Sequence, residues 1–162
     1  PEEYQPAVEA WLRDTPFAEK DNYHLIALGA FGKMFLWGET TGPSIEILSP
    51  YAQIYPTDCT NKLAKRGANR TIELFFSSMN KDFVDLDDDN DQPLFRRALE
   101  RLGPLAPDEM YGFVPALALG GANRVEKLQK VKAVEHLVLL ADLGERTIMA
   151  DIVAIAKSNG LM

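Results

Sequence analysis

Four short apolar segments between residues 23 and 55 constrain the fold of this 162-residue chain more than any other feature. They are rich in aromatic and β-branched residues, and Gly, Pro, Ser and Thr separate them. Their spacing of about ten residues leaves no room for crossover helices, so they predict an antiparallel meander. The segments are YHLIAL (Tyr23 to Leu28), KMFLW (Lys33 to Trp37), IEIL (Ile45 to Leu48) and AQIY (Ala52 to Tyr55).

Helical periodicity surrounds this block on both sides. A first helix carries Tyr4, Val8, Trp11 and Leu12 on one face, and Thr15-Pro16 ends it. A second stripe lies in NRTIELFFSSMNKDF with Asn69 as N-cap, and a third in QPLFRRALERLGP with Gly103 at its end. The pattern predicts an α+β protein, in which an antiparallel sheet meander packed with helices is followed by a helix-rich C-terminal part.

The stretch DEMYGFVPALALGGANRVEKLQKV, which begins at Asp108, combines aromatic residues, an apolar run and a Gly-Gly pair. We interpret DEMYGF as a tight turn, residues 114–119 as a short strand, and residues 123–144 as a helix capped by Asn123. The pair Gly120-Gly121 matches neither phosphate-binding glycine pattern, so it predicts a structural joint. In the tail, Ile148, Ile152 and Ile155 predict a last helix.

The formal net charge of −7 limits the partners of the chain. Nucleic-acid binding over a broad surface needs clustered Lys and Arg, so an acidic chain suits a basic partner better. No apolar run approaches the roughly 20 residues that span a bilayer, and no secretory signal is visible. The single cysteine, Cys59, excludes an internal disulfide framework and is typical of a reducing cytoplasm.

The acidic run DFVDLDDDND is the most pronounced charged feature. As a calcium loop starting at Asp85 it fails at Asn90, where Gly is required, and at Arg96, where Glu is required. Two interpretations remain, a solvated loop and a docking patch for a basic surface. The docking hypothesis selects residues of this run together with two residues of DEMYGF as partner contacts: Asp85, Asp87, Asp88, Asp89, Asp91, Glu109 and Tyr111.

Catalytic and metal patterns find little support in the sequence. Cys59 has no histidine nearby, and the two histidines, His24 and His136, lie far apart and lack an adjacent Ser or Cys. No G-x-S-x-G elbow and no Cys/His zinc spacing is present. We therefore expect no catalytic residue, no metal and no cofactor, although distant residues can still meet in space.

One part of the chain closely resembles the C-terminal domain of type VI secretion immunity proteins. It consists of LGPLAPDEMYGFVPALALGG followed by VEKLQKVKAVEHLVLLADLG. Three earlier segments resemble the GAD-like domain that precedes this domain in those proteins. They are PEEYQPAVEAWL, TPF and DNYHLIALGAFGKMFLWGETTG. The resemblance implies a GAD-like domain at residues 1–60 that is N-terminally truncated, because the family has several tens of residues before this point. The immunity domain is then expected at residues 61–162.

The resemblance also implies a function. Family members protect their producer from a DNase effector encoded beside them, and they are cytoplasmic because the toxin acts there. We therefore expect a non-enzymatic protein that binds and neutralises a cognate DNase toxin by occlusion, with neither nucleic acid nor membrane as partner. Two alternatives stay open, a small hydrolase with Asp108 and Glu109 as its carboxylates, and a DNA-binding regulator of its own operon. The oligomeric state is also open.

Overall fold

The computed structural model describes residues 2–161, and Pro1 and Met162 lie outside the described residues. Between those limits the chain forms a five-stranded sheet in the order β1-β2-β3-β4-β7 and a two-stranded sheet of β5 and β6. The strands are β1 (Tyr23–Leu28), β2 (Lys33–Gly38), β3 (Gly42–Leu48), β4 (Gln53–Pro56), β5 (Glu109–Phe113), β6 (Leu128–Lys132) and β7 (Thr147–Ile148). The helices are α1 (Gln5–Leu12), α2 (Thr60–Ser78), α3 (Lys81–Val84), α4 (Phe95–Leu102), α5 (Ala133–Asp142) and α6 (Ile152–Ser158).

The predicted α+β class and the antiparallel meander are confirmed. Strands β1 to β4 pair antiparallel in sequence order, with Leu36 opposite Ile45 in the middle of the sheet. Strand β2 is buried on both faces, since Met34 and Leu36 face one core and Phe35 faces the other side. Its links are too short for helices, so neighbouring strands could only pair as hairpins.

Helices α1 and α5 cover one face of the sheet. Trp11 is fully buried between them, and its indole Nε1 donates to the carbonyl oxygen of Leu137 at 2.9 Å. The predicted α1 stripe is confirmed, although the helix ends at Leu12 rather than at Thr15. Burial of large apolar side chains from both ends of the chain makes this the main core.

Aromatic side chains cover the other face. The ring of Phe35 lies 5.7 Å from the ring of Phe75 on α2 and 5.8 Å from that of Phe83 on α3. A second, smaller core lies beside this layer under the β5–β6 hairpin. Its buried members are Phe31, Leu94, Ala98, Tyr111, Phe113 and Leu128.

The predicted division into residues 1–60 and 61–162 stays a prediction. Residues on both sides of that boundary pack in the main core, as the contact between Trp11 and Leu137 shows. Strand β7 also returns from the C-terminal side to pair parallel with β4. The two sequence segments therefore pack together in one core.

The prediction for residues 108–144 is wrong in three places. Glu109–Phe113 of DEMYGF form strand β5, and only Asp108 lies in a turn. Residues 114–119 hold a 3-10 turn (Leu117–Leu119) rather than a strand. The proposed helix from Asn123 is split, because residues 128–132 form β6 and only Ala133 begins the helix. The N–H of Val114 still donates to the carbonyl oxygen of Lys127 at 2.8 Å, but Pro115 has no N–H with which to extend the ladder further. The five-residue pairing of β5 with β6 overrides the helical spacing of Leu128 and Val131.

Two other predictions need correction. Asn69 is not an N-cap, because α2 begins at Thr60 and Asn69 lies inside it, two residues after the break at Gly67 (φ 75°, ψ 165°). The first half of α2, TNKLAKRGAN, has Leu63 as its single large apolar side chain, so it gives no periodic signal. In the tail, Ile148 lies in β7, and only Ile152 and Ile155 belong to a helix, where both are exposed.

Candidate partner-binding site

The acidic run forms the loop between α3 and α4, residues 85–94, and we call it the acidic loop. It borders an open groove of about 560 Å³. The groove, which we call the acidic groove, is lined by Lys33, Leu48, Tyr51, Asp82, Phe83, Asp85, Leu86, Asp87, Asp88, Asp89, Asp91 and Asn123. The predicted carboxylates of the loop therefore come together in one depression.

Asp88 holds the acidic loop in shape. Its Oδ1 accepts hydrogen bonds from the backbone N–H of Asn90 at 2.8 Å and of Gln92 at 3.1 Å. Its Oδ2 accepts from the guanidinium of Arg97 on α4 at 2.7 Å. The Arg97 hydrogen bond is the main reason that the pKa of Asp88 is lowered from its usual range. This carboxylate is buried, and it belongs to the fold rather than to an open surface.

Asp85 also has a structural role. Its Oδ1 accepts from the backbone N–H of Leu86 at 2.7 Å and from that of Phe95, the first residue of α4, at 2.9 Å. Leu94 precedes this helix and has no side chain that could cap it. Asp85 therefore caps α4, although it lies nine residues before Leu94 in the sequence. It also places a negative charge at the positive end of the helix.

The remaining carboxylates of the loop are exposed. Asp87 and Asp91 have no ion-pair partner among residues 2–161, and neither has Asp82 on α3. Asp89 makes only a long contact of 3.7 Å with Arg124, and both side chains are about half exposed. Like charges this close repel one another, and an approaching cation relieves that repulsion. Asp82 was not among the predicted contacts, and its position in α3 places it at the acidic groove.

The floor of the groove is formed by Asn123. Its Nδ2 donates to the Tyr51 hydroxyl at 2.6 Å and to the carbonyl oxygen of Asp87 at 2.8 Å. These bonds tie the acidic loop to the meander and to the segment before β6. Burial, followed by the nearby charges of Asp89 and Asp87, raises the pKa of Tyr51 even though Asn123 donates to it. Asn123, predicted as a helix cap, instead anchors the acidic loop.

Aromatic surface borders the carboxylates. Phe83 and Tyr51 both line the groove and are 46% and 42% exposed, and such exposure is unusual for phenylalanine. The ammonium of Lys33 lies 3.8 Å from the centre of the Phe83 ring, donates to the Phe83 carbonyl and pairs with Glu46 at 2.9 Å. Lys33 is therefore already neutralised, so the exposed charge of the groove is negative.

The other two predicted contacts lie elsewhere. Tyr111 is only 1% exposed, and its hydroxyl donates to the carbonyl oxygen of Gly103 at 2.6 Å. A partner cannot reach this ring, so the prediction of Tyr111 as a surface contact is corrected: it packs the second core. Glu109 is half-buried at the start of β5, where its Oε2 accepts from the backbone N–H of Ala106 at 2.9 Å. It does not line the acidic groove.

The Gly-Gly pair works as a backbone joint. Gly120 has φ +83°, which side chains rarely allow, and its N–H closes the 3-10 turn on Leu117. A Cβ on Gly121 would lie 2.0 Å from the carbonyl oxygen of Pro115. The pair therefore lets the chain fold back tightly towards Asn123.

The nucleophile candidates are in unreactive surroundings. Cys59 is buried, its thiol donates weakly to the Pro43 carbonyl, and burial raises its pKa. Burial lowers the pKa of His136, and the Nε2 of His24 contacts Glu39 at 3.0 Å on the surface. Within residues 2–161 no three His, Cys, Asp or Glu side chains are grouped as metal ligands would be. In the same part of the chain no helix has the length and apolar character needed to cross a membrane.

Fold and site thus define an α+β protein with an acidic groove bordered by aromatic rings. The comparison with family models identifies it further. Residues 69–144 match the model described as "T6SS immunity protein Tdi1, C-terminal", and residues 1–51 match the GAD-like domain. The chain belongs to this family of type VI secretion immunity proteins, in which the GAD-like domain precedes the immunity domain. The family assignment made from DEMYGFVPALALGG is confirmed.

A solved structure shows the same fold. The crystal structure of Atu4351 from Agrobacterium tumefaciens superposes with a TM-score of 0.78 at 24% sequence identity. The match covers 91% of this chain and 66% of that one, so this chain spans slightly less than two thirds of its relative. No curated protein sequence matches the chain.

Proposed function

We propose that this protein binds a cognate type VI secretion DNase toxin and neutralises it by occlusion, without catalysis. The observation that carries the proposal is the set of exposed carboxylates around the acidic groove in a chain of the immunity family. A DNase must offer cationic groups to DNA phosphates. An acidic surface competes for those groups and also speeds the encounter.

The geometry supports one set of contact residues for this proposal. Asp87, Asp89 and Asp91 contribute accessible charge, and Asp82 adds to it. Asp85 and Asp88 keep the loop in the conformation that presents those charges. Glu109 stays a separate proposed contact, since it lies outside the groove. A DNase acts on DNA in the cytoplasm, and the proposal places this protein there.

The test is a titration of the nuclease encoded beside this gene. Increasing amounts of this protein are added to a fixed amount of toxin, and DNA cleavage is followed at low and at moderate salt. We expect activity to fall linearly to zero at a fixed stoichiometry, and the complex to co-elute in size-exclusion chromatography. Full activity at an excess of this protein, with no complex, would contradict the proposal.

The same titration separates the alternatives. A hydrolase that destroys the toxin would abolish nuclease activity far below equimolar amounts, and Asp108 and Glu109 would be its candidate groups. Asp108 is paired with Lys132, and the Glu109 carboxylate accepts from a backbone N–H, so no observation favours that chemistry. A regulator of its own operon would retard the upstream DNA in a gel shift, where we expect no retardation.

A further inference from the structure

We propose that the free edge of strand β1 is a second docking surface, and that it takes an extended, cationic segment of the toxin as an added strand. The inference rests on the proposed function only in taking the toxin as the partner. It concerns a part of the molecule that does not line the acidic groove.

Strand β1 is an uncovered edge of the five-stranded sheet. It pairs with β2 on one side, and within residues 2–161 no strand pairs with it on the other. No backbone hydrogen bond joins residues 23–28 to an element other than β2 in that part of the chain. An edge of this kind offers a row of N–H and C=O groups to another chain.

Two open cavities follow this edge. One, of about 490 Å³, is lined by residues 21–24 together with residues of α1. The other, of about 380 Å³, is lined by residues 25–30 together with Tyr4, Leu105, Pro107 and Glu109. Successive strand residues point to opposite faces, so a cavity that touches every residue in turn lies along the edge rather than over a face. The space beside β1 is therefore long enough for an extended peptide.

The edge lacks charged residues and proline, two of the features that protect natural edge strands from pairing. The segment from Leu25 to Ala30 contains neither. One bulge, between Leu25 and Ala27, interrupts the register with β2 and is the protective feature that this edge does have. The side chains of Ile26, Ala27 and Leu28 are half-buried, so they offer apolar contacts without being sealed in the core.

The charge along the two cavities selects the occupant. Four carboxylates line them, and the one arginine, Arg13, is paired with Asp142 at 2.6 Å. The carboxylates are Glu9, Asp21, Glu39 and Glu109. A second copy of this acidic chain would bring like charges together along a shared edge. A basic segment would be attracted, and strand addition supplies its main-chain hydrogen bonds.

Hydrogen exchange measured by mass spectrometry tests the proposal. The wild-type protein is studied alone and in complex with a catalytically inactive form of the toxin encoded beside its gene. We expect slower exchange at residues 23–28 in the complex. A complex that leaves exchange at β1 unchanged would overturn this inference and leave the proposed function standing. Failure to form any complex would overturn both. Protection of β1 in the free protein that grows with its concentration would identify a second copy as occupant and also overturn it.

A pair of variants sharpens the test. Ile26→Lys places a charge on the β1 edge, and Ile148→Lys places the same charge on β7, the opposite edge of the same sheet. We expect the first change to weaken toxin binding by about tenfold or more, and the second to leave it within about twofold. Equal effects of the two changes would mean that charge, rather than the edge, is responsible.

Discussion

Asp85 and Asp88 direct their carboxylates at backbone N–H groups and at Arg97, whereas Asp87, Asp89 and Asp91 in the same loop are exposed. One loop thus contains an inner pair that maintains its shape and an outer triplet that presents charge. The difference teaches that the two functions of an acidic run can be separated by substitution. Changes of the outer triplet should affect the partner, and changes of the inner pair should affect the fold.

The largest effect is expected from reversing the outer triplet. Changing Asp87, Asp89 and Asp91 together to Lys replaces attraction with repulsion for a cationic partner. We expect toxin affinity to fall by about 100-fold at low salt, because close charge pairs across an interface couple strongly. Titration calorimetry measures the toxin affinity, and a thermal melt measures the stability. The melting temperature should stay within a few degrees of the wild type.

A matched control has the same net charge. It changes three exposed carboxylates outside the acidic groove, Glu2, Glu135 and Glu145, to Lys. We expect a much smaller loss of affinity in this variant. If both triple variants lose affinity equally, the net charge of the chain attracts the toxin and the acidic loop has no special part.

The inner pair should respond in the opposite way. Asp88→Ala removes the acceptor of two backbone N–H groups and the carboxylate that pairs with Arg97. We expect the melting temperature to fall by several degrees. The backbone N–H groups that Asp88 accepted from would have no acceptor in the folded protein, and unpaired donors destabilise the folded state. Any weakening of toxin binding by Asp88→Ala should result from the loss of the acidic loop's conformation. An unchanged melting temperature would refute the division between inner and outer carboxylates.

A smaller effect is expected at Asp85. Asp85→Ala removes the cap of α4, and the loss of an N-cap acceptor costs about 1 kcal/mol of the free energy of unfolding. Asp85→Asn keeps an acceptor oxygen and should recover part of that loss. Chemical denaturation of the wild type, Asp85→Ala and Asp85→Asn measures the free energy of unfolding of each. An Asp85→Ala variant as stable as the wild type would show that the cap contributes nothing.

The smallest effect concerns pH. Because the folded-state pKa of Asp88 is lowered, its stabilising contribution is complete above its ordinary pKa and is lost as pH falls through the lowered value. We therefore expect the stability of Asp88→Asn to fall less steeply than that of the wild type below about pH 4. Asp91→Asn, which changes an exposed carboxylate, serves as the control. Parallel acid profiles of the wild type and Asp88→Asn would contradict this.

The meander illustrates what the sequence could predict. Its four segments alternate with short links, so local pattern and tertiary pairing lead to the same structure, and the strands lie where they were expected. Residues 128–134 illustrate the limit. Leu128, Val131 and Val134 have helical spacing, but pairing with β5 decides the structure of the first five residues, and that partner is remote in the sequence.

The acidic loop shows the same limit for the site. The run of aspartates identified the loop, but six similar residues carry no mark that separates structural from exposed carboxylates. The partner of Asp88 is Arg97, nine residues away on a helix whose orientation depends on the second core. Residue spacing therefore could not assign Asp88 to the fold, nor could it bring Asn123 and Tyr51 to the groove.

The most direct test of the central claim is the dependence of the toxin association rate on salt. Stopped-flow rates are measured between low and moderate ionic strength for the wild type and for a variant with Asn at Asp87, Asp89 and Asp91. The proposed role of these carboxylates predicts a steep fall with salt for the wild type, a much flatter one for the variant, and rates that converge at high salt. Equal slopes for the two proteins would contradict it.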